Sequence, residues 1–272
     1  MLPLPGPPRH AYSQMRLAYI ITLFLLCQPP FLGIFAVCAN AQKQELTLRH
    51  FCYIIPYYGG DDINTVYIVC LILATAFGTA FLMLEGKKSR LLCAFLKSAA
   101  TLIFSVPAYL AFAVSHNVTF LLIAMAITVC ALADFVIHFT LIPGLVLFAA
   151  AHCLFAPAFI IYGSKIHIAA ISFAVFASVC AYALSFAEIP KPIRFAATVY
   201  AAVIGVHLSL AVSSAFYGEA FGIVTAVSAL LFLASDVMLA LGLSKKRPPL
   251  WGKVVMLLYY AAHAGFSLAC GL

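Results

Sequence analysis

Leu230–Leu243, LLFLASDVMLALGL, is apolar enough for the interior of a lipid bilayer, yet it carries one aspartate, Asp236, directly behind Ser235. A carboxylate inside hydrocarbon costs roughly 2.5–3.5 kcal/mol even on lenient insertion scales, so it is found facing a bundle interior or a water-filled cavity. Only one other acid lies within an apolar run: Asp134, in ALADFVIHF. Glu45, Asp61, Asp62, Glu85, Glu188 and Glu219 all fall in segments between runs. The contrast points to a membrane fold with a polar interior.

The bulk composition agrees. The chain is 65% hydrophobic and 8% charged, with a mean hydropathy of +1.12. Soluble domains carry about 25% charged residues. The 272 residues are enough for eight or nine spans of about 20 residues and little else, so any chemistry has to take place among the helices. The net charge of +7 is spread over short connecting loops and gives no nucleic-acid signature. None of the nine cysteines forms a CxxC pair or a metal-ligand spacing. Cys70, Cys93, Cys130, Cys153, Cys180 and Cys270 lie in or at the ends of apolar runs, where free cysteine behaves as a small hydrophobe. Cys52 lies in a loop, and Cys38 is its candidate partner.

Two regions follow. Residues 1–62 form an N-terminal apolar segment with a polar loop, and residues 63–272 form the membrane domain. The first segment ends in Ala39-Asn40-Ala41, a small-x-small pattern, and reads either as an uncleaved helix or as a cleaved signal. The expected fold is all-α: a polytopic membrane bundle of eight core helices at about 64–84, 92–114, 118–140, 141–161, 166–187, 195–214, 219–242 and 252–271. Pro143 and Gly144 are expected to break the chain between the third and fourth of these, since proline cannot continue the backbone ladder.

Loop charge sets the orientation. Lys87, Lys88 and Arg90 precede the second core run, Lys191 and Arg194 the sixth, and Lys245, Lys246, Arg247 and Lys253 the last. Together with Arg9 and Arg16 these segments fall on one side, which the positive-inside rule makes the cytoplasm. An uncleaved first segment then starts in the cytoplasm, and the expected location is a cell membrane, a bacterial inner membrane. Asp134 and Asp236 each sit about six residues before an inner helix end, or about 9 Å at 1.5 Å per residue. Lys97 lies at a similar depth on a third helix.

Each candidate has a plain structural alternative. The two aspartates either form an acid/base pair with separated charge states or merely bond neighbouring helices. Lys97 either pairs with one of them, binds phosphate, or snorkels to the interface. His138, His152, His207 and His263 lie in apolar runs, where packing is the commoner role. Gly144, Phe148 and His152 share one helix face, and Tyr259, His263 and Phe266 share another, so both faces carry a polar tip into the bundle.

Four segments in order resemble the YhhN-like family of membrane proteins, whose animal members are lysoplasmalogenases. They are Phe95-Leu96-Lys97-Ser98, Ala133-Asp134-Phe135-Val136, the helix GLVLFAAAHCLFAPAF from Gly144 to Phe159, and SDVMLALGL followed by LLYYAAHAGFSL up to Leu268. The similarity covers roughly residues 64–271. Ser98 replaces the family's proline, Ala133 its glycine and Phe155 its tyrosine, and none of these changes removes an ionisable group.

The resemblance implies hydrolysis of the vinyl ether bond of a lysoplasmalogen, giving a fatty aldehyde and glycerophospho-ethanolamine or -choline. Asp134 and Asp236 would be catalytic, and Lys97, His152, Ser235, Tyr259, Tyr260 and His263 would bind substrate. No cofactor or metal is expected in this reading. The expected partners are the lysophospholipid and membrane lipids, with no nucleic acid, and sequence leaves the oligomeric state open. Two alternatives stay open: a zinc-dependent intramembrane lipid hydrolase using some of the four histidines, and a proton-coupled small-solute transporter relaying protons through the aspartates.

Overall fold

Long apolar stretches separated by short polar joints fold as helices throughout the computed structural model, which describes residues 60–87, 89–186, 191–216, 218–244 and 248–272. In chain order the helices are α1 (Gly60–Leu84), α2 (Arg90–Ile103), α3 (Ser105–Ser115), α4 (Val118–Ile137), α5 (Leu141–Tyr162), α6 (Ile166–Phe186), α7 (Lys191–Ala215), α8 (Ala220–Ser244) and α9 (Pro249–Ala269). In lipid, a helix satisfies every backbone group within its own segment, which is why an apolar chain of this length takes no other form. Six stretches among the described residues are long and apolar enough to cross a bilayer: Thr65–Leu84, Arg90–Ser115, Val118–Ile137, Leu141–Tyr162, Thr198–Ala215 and Ala220–Gly242. The protein is an integral, multi-pass membrane protein. The expected signal or extra helix, the Cys38–Cys52 pairing, Lys88 and the Lys245–Arg247 cluster lie outside the described residues.

All eight expected core runs are helical, with two local corrections. The run 92–114 is divided at Phe104 into α2 and α3. Pro107 is the physical reason, because it leaves the carbonyl of Ile103 without its helical partner. The Ser105 hydroxyl satisfies the neighbouring Leu102 carbonyl at 2.7 Å. The second correction concerns Pro143 and Gly144, which do not break the chain between α4 and α5. They sit in the first turn of α5, where a missing N–H costs nothing, and the turn is made by His138, Phe139 and Thr140. Gly144 is needed there for a different reason. A Cβ at this position would lie 2.6 Å from Ile137 Cβ and 2.8 Å from its Cα, so the hairpin closes only over glycine.

Helix ends are set by side chains where the joints are short. The Ser89 hydroxyl accepts from the Leu92 amide at 3.3 Å and starts α2. Asn117 Oδ1 accepts from the Thr119 amide at 2.9 Å and starts α4. Gly163 ends α5 in the left-handed conformation, with φ 115°. Within the helices, hydroxyls fold back on carbonyls one turn earlier, as Thr128 does on Ala124, Ser209 on Gly205 and Ser228 on Val224.

Helix α4 packs against α2, α3, α5 and α9, while α8 packs against both α7 and α9 and α5 also meets α7. The inner face of α4 is built from small residues, with Ala124, Ala126, Ala133 and Cys130 all fully buried. Small side chains let backbones approach closely where hydrocarbon surroundings supply no hydrophobic drive for helix association. Large apolar residues such as Ile72, Val175, Val179 and Leu257 point outward. The arrangement brings α2, α4, α5, α7, α8 and α9 around one interior that holds the buried polar groups.

Candidate active site

Lys97 and Thr101 lie one turn apart on α2, so both point at the same neighbour, and that neighbour is Asp134 on α4. The Lys97 ammonium sits 2.9 Å from Asp134 Oδ1. The Thr101 hydroxyl donates to Asp134 Oδ2 at 2.6 Å, and the Tyr259 hydroxyl of α9 donates to the same oxygen at 2.7 Å. Asp134 is 0% exposed, whereas the Lys97 side chain keeps 14% exposure. The ammonium also lies 5.6 Å from the centre of the Tyr259 ring, in cation–π range. A buried charge is tolerated only when it is paired and hydrogen-bonded, and three helices supply one cation and two hydroxyls to this carboxylate.

Asp236 on α8 has a different environment. Its Oδ2 accepts from the Tyr200 hydroxyl of α7 at 3.0 Å, and His152 Nε2 of α5 lies 3.9 Å from the same oxygen. Its side chain is 15% exposed, so water and ligand atoms can reach it. Behind it, His152 Nδ1 and His207 Nδ1 are 2.7 Å apart and share a hydrogen bond. His207 lies parallel to Phe155 and Phe159, with ring centres 4.8 and 5.6 Å away.

Aromatic rings fill the space between the two carboxylates. Phe232 of α8 lies 5.4 Å from Tyr259 and 4.7 Å from His152. Phe148 packs edge-on against Phe232 and Tyr259. His263 lies 4.5 Å from Tyr259 and 5.4 Å from Phe232, and neither of its ring nitrogens has a hydrogen-bond partner among the described residues. The Nε2 atoms of His152 and His207 are likewise buried without a hydrogen bond. An unmet buried donor or acceptor costs about 1–3 kcal/mol, so these nitrogens are the polar points of the interior that a water or a ligand would satisfy.

The sequence candidates therefore fall into three groups. Lys97, Asp134 and Tyr259 form one bonded unit; Asp236, His152 and His263 lie in the same aromatic interior. Ser235 stands apart from it, and Tyr260 lies at its edge, with its ring centre 5.7 Å from that of Tyr259 and a buried hydroxyl that has no hydrogen-bond partner among the described residues. The Ser235 hydroxyl donates to the Val255 carbonyl at 3.1 Å and ties α8 to α9. Tyr260 turns toward α1, where a Cβ on Gly78 would lie 2.8 Å from its ring, and toward Phe104. His138 leaves the histidine group as well. Its Nδ1 bonds the Asp134 carbonyl at 3.1 Å, and its ring sits edge-on to Phe81. Among the described residues no three His, Cys, Asp or Glu side chains are placed to hold a metal ion.

Two residues of the site escaped the sequence reading, Thr101 and Tyr200. Both carried a periodicity signal: Thr101 lies four residues after Lys97, and Tyr200 lies seven residues, two turns, before His207. No curated protein matches the chain. No solved structure matches it either. The match that is found is to the YhhN family model over residues 92–270, which spans α2 to the end of α9 and every side chain of the site. By that match, the chain belongs to the YhhN family.

Proposed function

We propose that the protein is an intramembrane hydrolase acting on the vinyl ether bond of a one-chain phospholipid, a lysoplasmalogenase-like reaction. The observation that carries this reading is the unequal provision of the two buried carboxylates. Asp134 has an ammonium beside Oδ1 and two hydroxyls on Oδ2, whereas Asp236 has one hydroxyl donor and stays reachable. Two carboxyl groups in environments that separate their charge states are the usual means of acid catalysis near neutral pH.

The chemistry of a vinyl ether asks for such a pair. Its rate-limiting event is transfer of a proton to the alkenyl carbon farther from oxygen, which leaves an oxocarbenium ion. Asp236 supplies that proton and becomes a carboxylate. Asp134 keeps its negative charge throughout and, across the aromatic rings that separate it from Asp236, offsets the positive charge that develops beside Asp236. Water then adds to the cationic carbon while its proton passes to Asp236, which regenerates the acid. The resulting hemiacetal collapses to a fatty aldehyde and the free glycerol hydroxyl. Net consumption is one water, and no redox step or metal enters.

The surrounding residues have matching tasks. Phe148, Phe232 and Phe155 provide apolar surface for the alkenyl chain. The unpaired nitrogens of His263 offer an acceptor or a donor to the glycerol hydroxyl or to the attacking water. Lys97 holds Asp134 in its charged form rather than touching the headgroup. The test is to incubate purified protein with lysoplasmalogen and with its saturated ether analogue. Aldehyde release from the first alone supports the reading; hydrolysis of both, or of neither, overturns it.

A further inference from the structure

We infer that His207 is a positioning residue that locks His152 into the tautomer carrying its proton on Nε2, the nitrogen that faces Asp236. The observation is the Nδ1 to Nδ1 contact of 2.7 Å between two fully buried imidazoles. One proton lies between them, and there are two ways to place it.

If His152 donates, its Nε2 is a bare lone pair aimed at a carboxylate oxygen 3.9 Å away, which is repulsive once Asp236 is ionised. His207 then carries its own proton on Nε2, an N–H with no partner among the described residues in a pocket walled by Phe155, Phe159 and Phe266. If His207 donates, the N–H left without a hydrogen bond lies on His152 Nε2, which faces the Asp236 carboxyl 3.9 Å away instead of a wall of aromatic rings. His207 Nε2 becomes a bare acceptor, a state that buried groups tolerate better than an unpaired N–H. His152 accepts on Nδ1 and must then carry its proton on Nε2, where Asp236 Oδ2 attracts it.

His207 is itself fixed by packing. Its ring is parallel to Phe155 within 5° and to Phe159 within 6°. The stacks fix the plane of the ring, and within that plane the 2.7 Å contact between Nδ1 and His152 selects this orientation over the half-turned one. The chain of control therefore runs from aromatic packing to His207, from His207 to the tautomer of His152, and from His152 to Asp236. Each time Asp236 hands over its proton, a buried carboxylate is left, and an Nε2–H that closes from 3.9 Å to about 2.9 Å stabilises it. The choice of tautomer and this last step both use the charge that Asp236 carries after proton transfer and so rest on its proposed role, whereas the 2.7 Å coupling of the two imidazoles does not.

The experiment has two arms. In the first, the full-length protein with ring-nitrogen-labelled histidine is placed in lipid nanodiscs, and the His152 tautomer is read by nitrogen–proton correlation, with His152→Gln as the assignment control. The expected wild-type signal is protonation on Nε2, and His207→Phe should shift it toward Nδ1. In the second, lysoplasmalogen turnover is followed. His207→Phe should lower kcat by about 10–100-fold with KM within about twofold. His207→Gln, whose amide can still donate to Nδ1, should recover most of that loss.

Protonation of His152 on Nδ1 in the wild type overturns the proposal, and so does equal kcat for wild type and His207→Phe. Should His207→Phe fail to fold, the wild-type spectrum and the His207→Gln variant decide between the same outcomes. An Nε2-protonated His152 in a protein inert toward lysoplasmalogen would support the lock and refute the hydrolase reading.

Discussion

Replacing Lys97 by methionine keeps most of the unbranched side chain and removes its charged end. Asp134 is 0% exposed, so the substitution leaves a carboxylate in the bundle with no cation beside it. Breaking a buried ion pair by removing one partner typically costs 3–5 kcal/mol. Two features pull the value toward the lower end. The Thr101 and Tyr259 hydroxyls continue to donate to Asp134 Oδ2, and Lys97 is 14% exposed, so water can partly replace the ammonium. The expected destabilisation is therefore about 3 kcal/mol. Adding Asp134→Asn to Lys97→Met removes the stranded charge, so the double variant should be more stable than the single one by at least about 1 kcal/mol. Reversible unfolding in mixed micelles, followed by the fluorescence of Trp251, measures both. That tryptophan donates to the Met238 carbonyl at 2.9 Å and so reports on the α8–α9 contact. A cost below about 0.5 kcal/mol for Lys97→Met would mean that the lysine reaches for the interface instead, and the ion-pair argument would fail.

Three further outcomes follow from other parts of the molecule. Asp236→Asn removes the transferable proton with almost no change of shape, and it should lower lysoplasmalogen hydrolysis by about 10²–10⁴-fold while unfolding stays near wild type. Full activity in that variant would remove Asp236 from the chemistry. Gly144→Val drives side-chain carbon into Ile137, 2.6 Å from a Cβ at that position, and should destabilise the α4–α5 hairpin by about 1–3 kcal/mol in the same micelle titration. Ser235→Ala removes the 3.1 Å bond to the Val255 carbonyl and should cost about 1 kcal/mol of stability. A loss several times larger would show that the hydroxyl serves more than the α8–α9 contact.

The fold was legible wherever the solvent imposes the pattern. Hydrocarbon demands long apolar helices, and each expected core run is helical. The shared depth of Lys97 and Asp134 could be counted from helix ends, and the 2.9 Å contact is what that count leads to. Depth does not fix adjacency, however. That α5 would meet α7, and so bring His152 against His207, depends on which helices pack together, and linear spacing holds no record of it. Ser235 shows the opposite failure. Its place beside Asp236 suggested a role at the site, but neighbours in a helix point about 100° apart, and its hydroxyl faces α9. The break at Phe104 was written in Pro107, whereas Pro143 resembled a breaker and is harmless in a first turn. Composition thus fixes which side chains are buried, and packing alone decides which of them meet.

The central claim is proton transfer from a buried carboxyl to an alkenyl carbon, and running the hydrolysis in heavy water tests it most directly. The aldehyde is trapped by reduction as it forms, and its isotope content is read by mass spectrometry. The account predicts one deuterium on the carbon next to the former aldehyde carbon, with this product lost in Asp236→Asn. Deuterated aldehyde formed as fast in heavy water as in light water, or at an undiminished rate in Asp236→Asn, would contradict it.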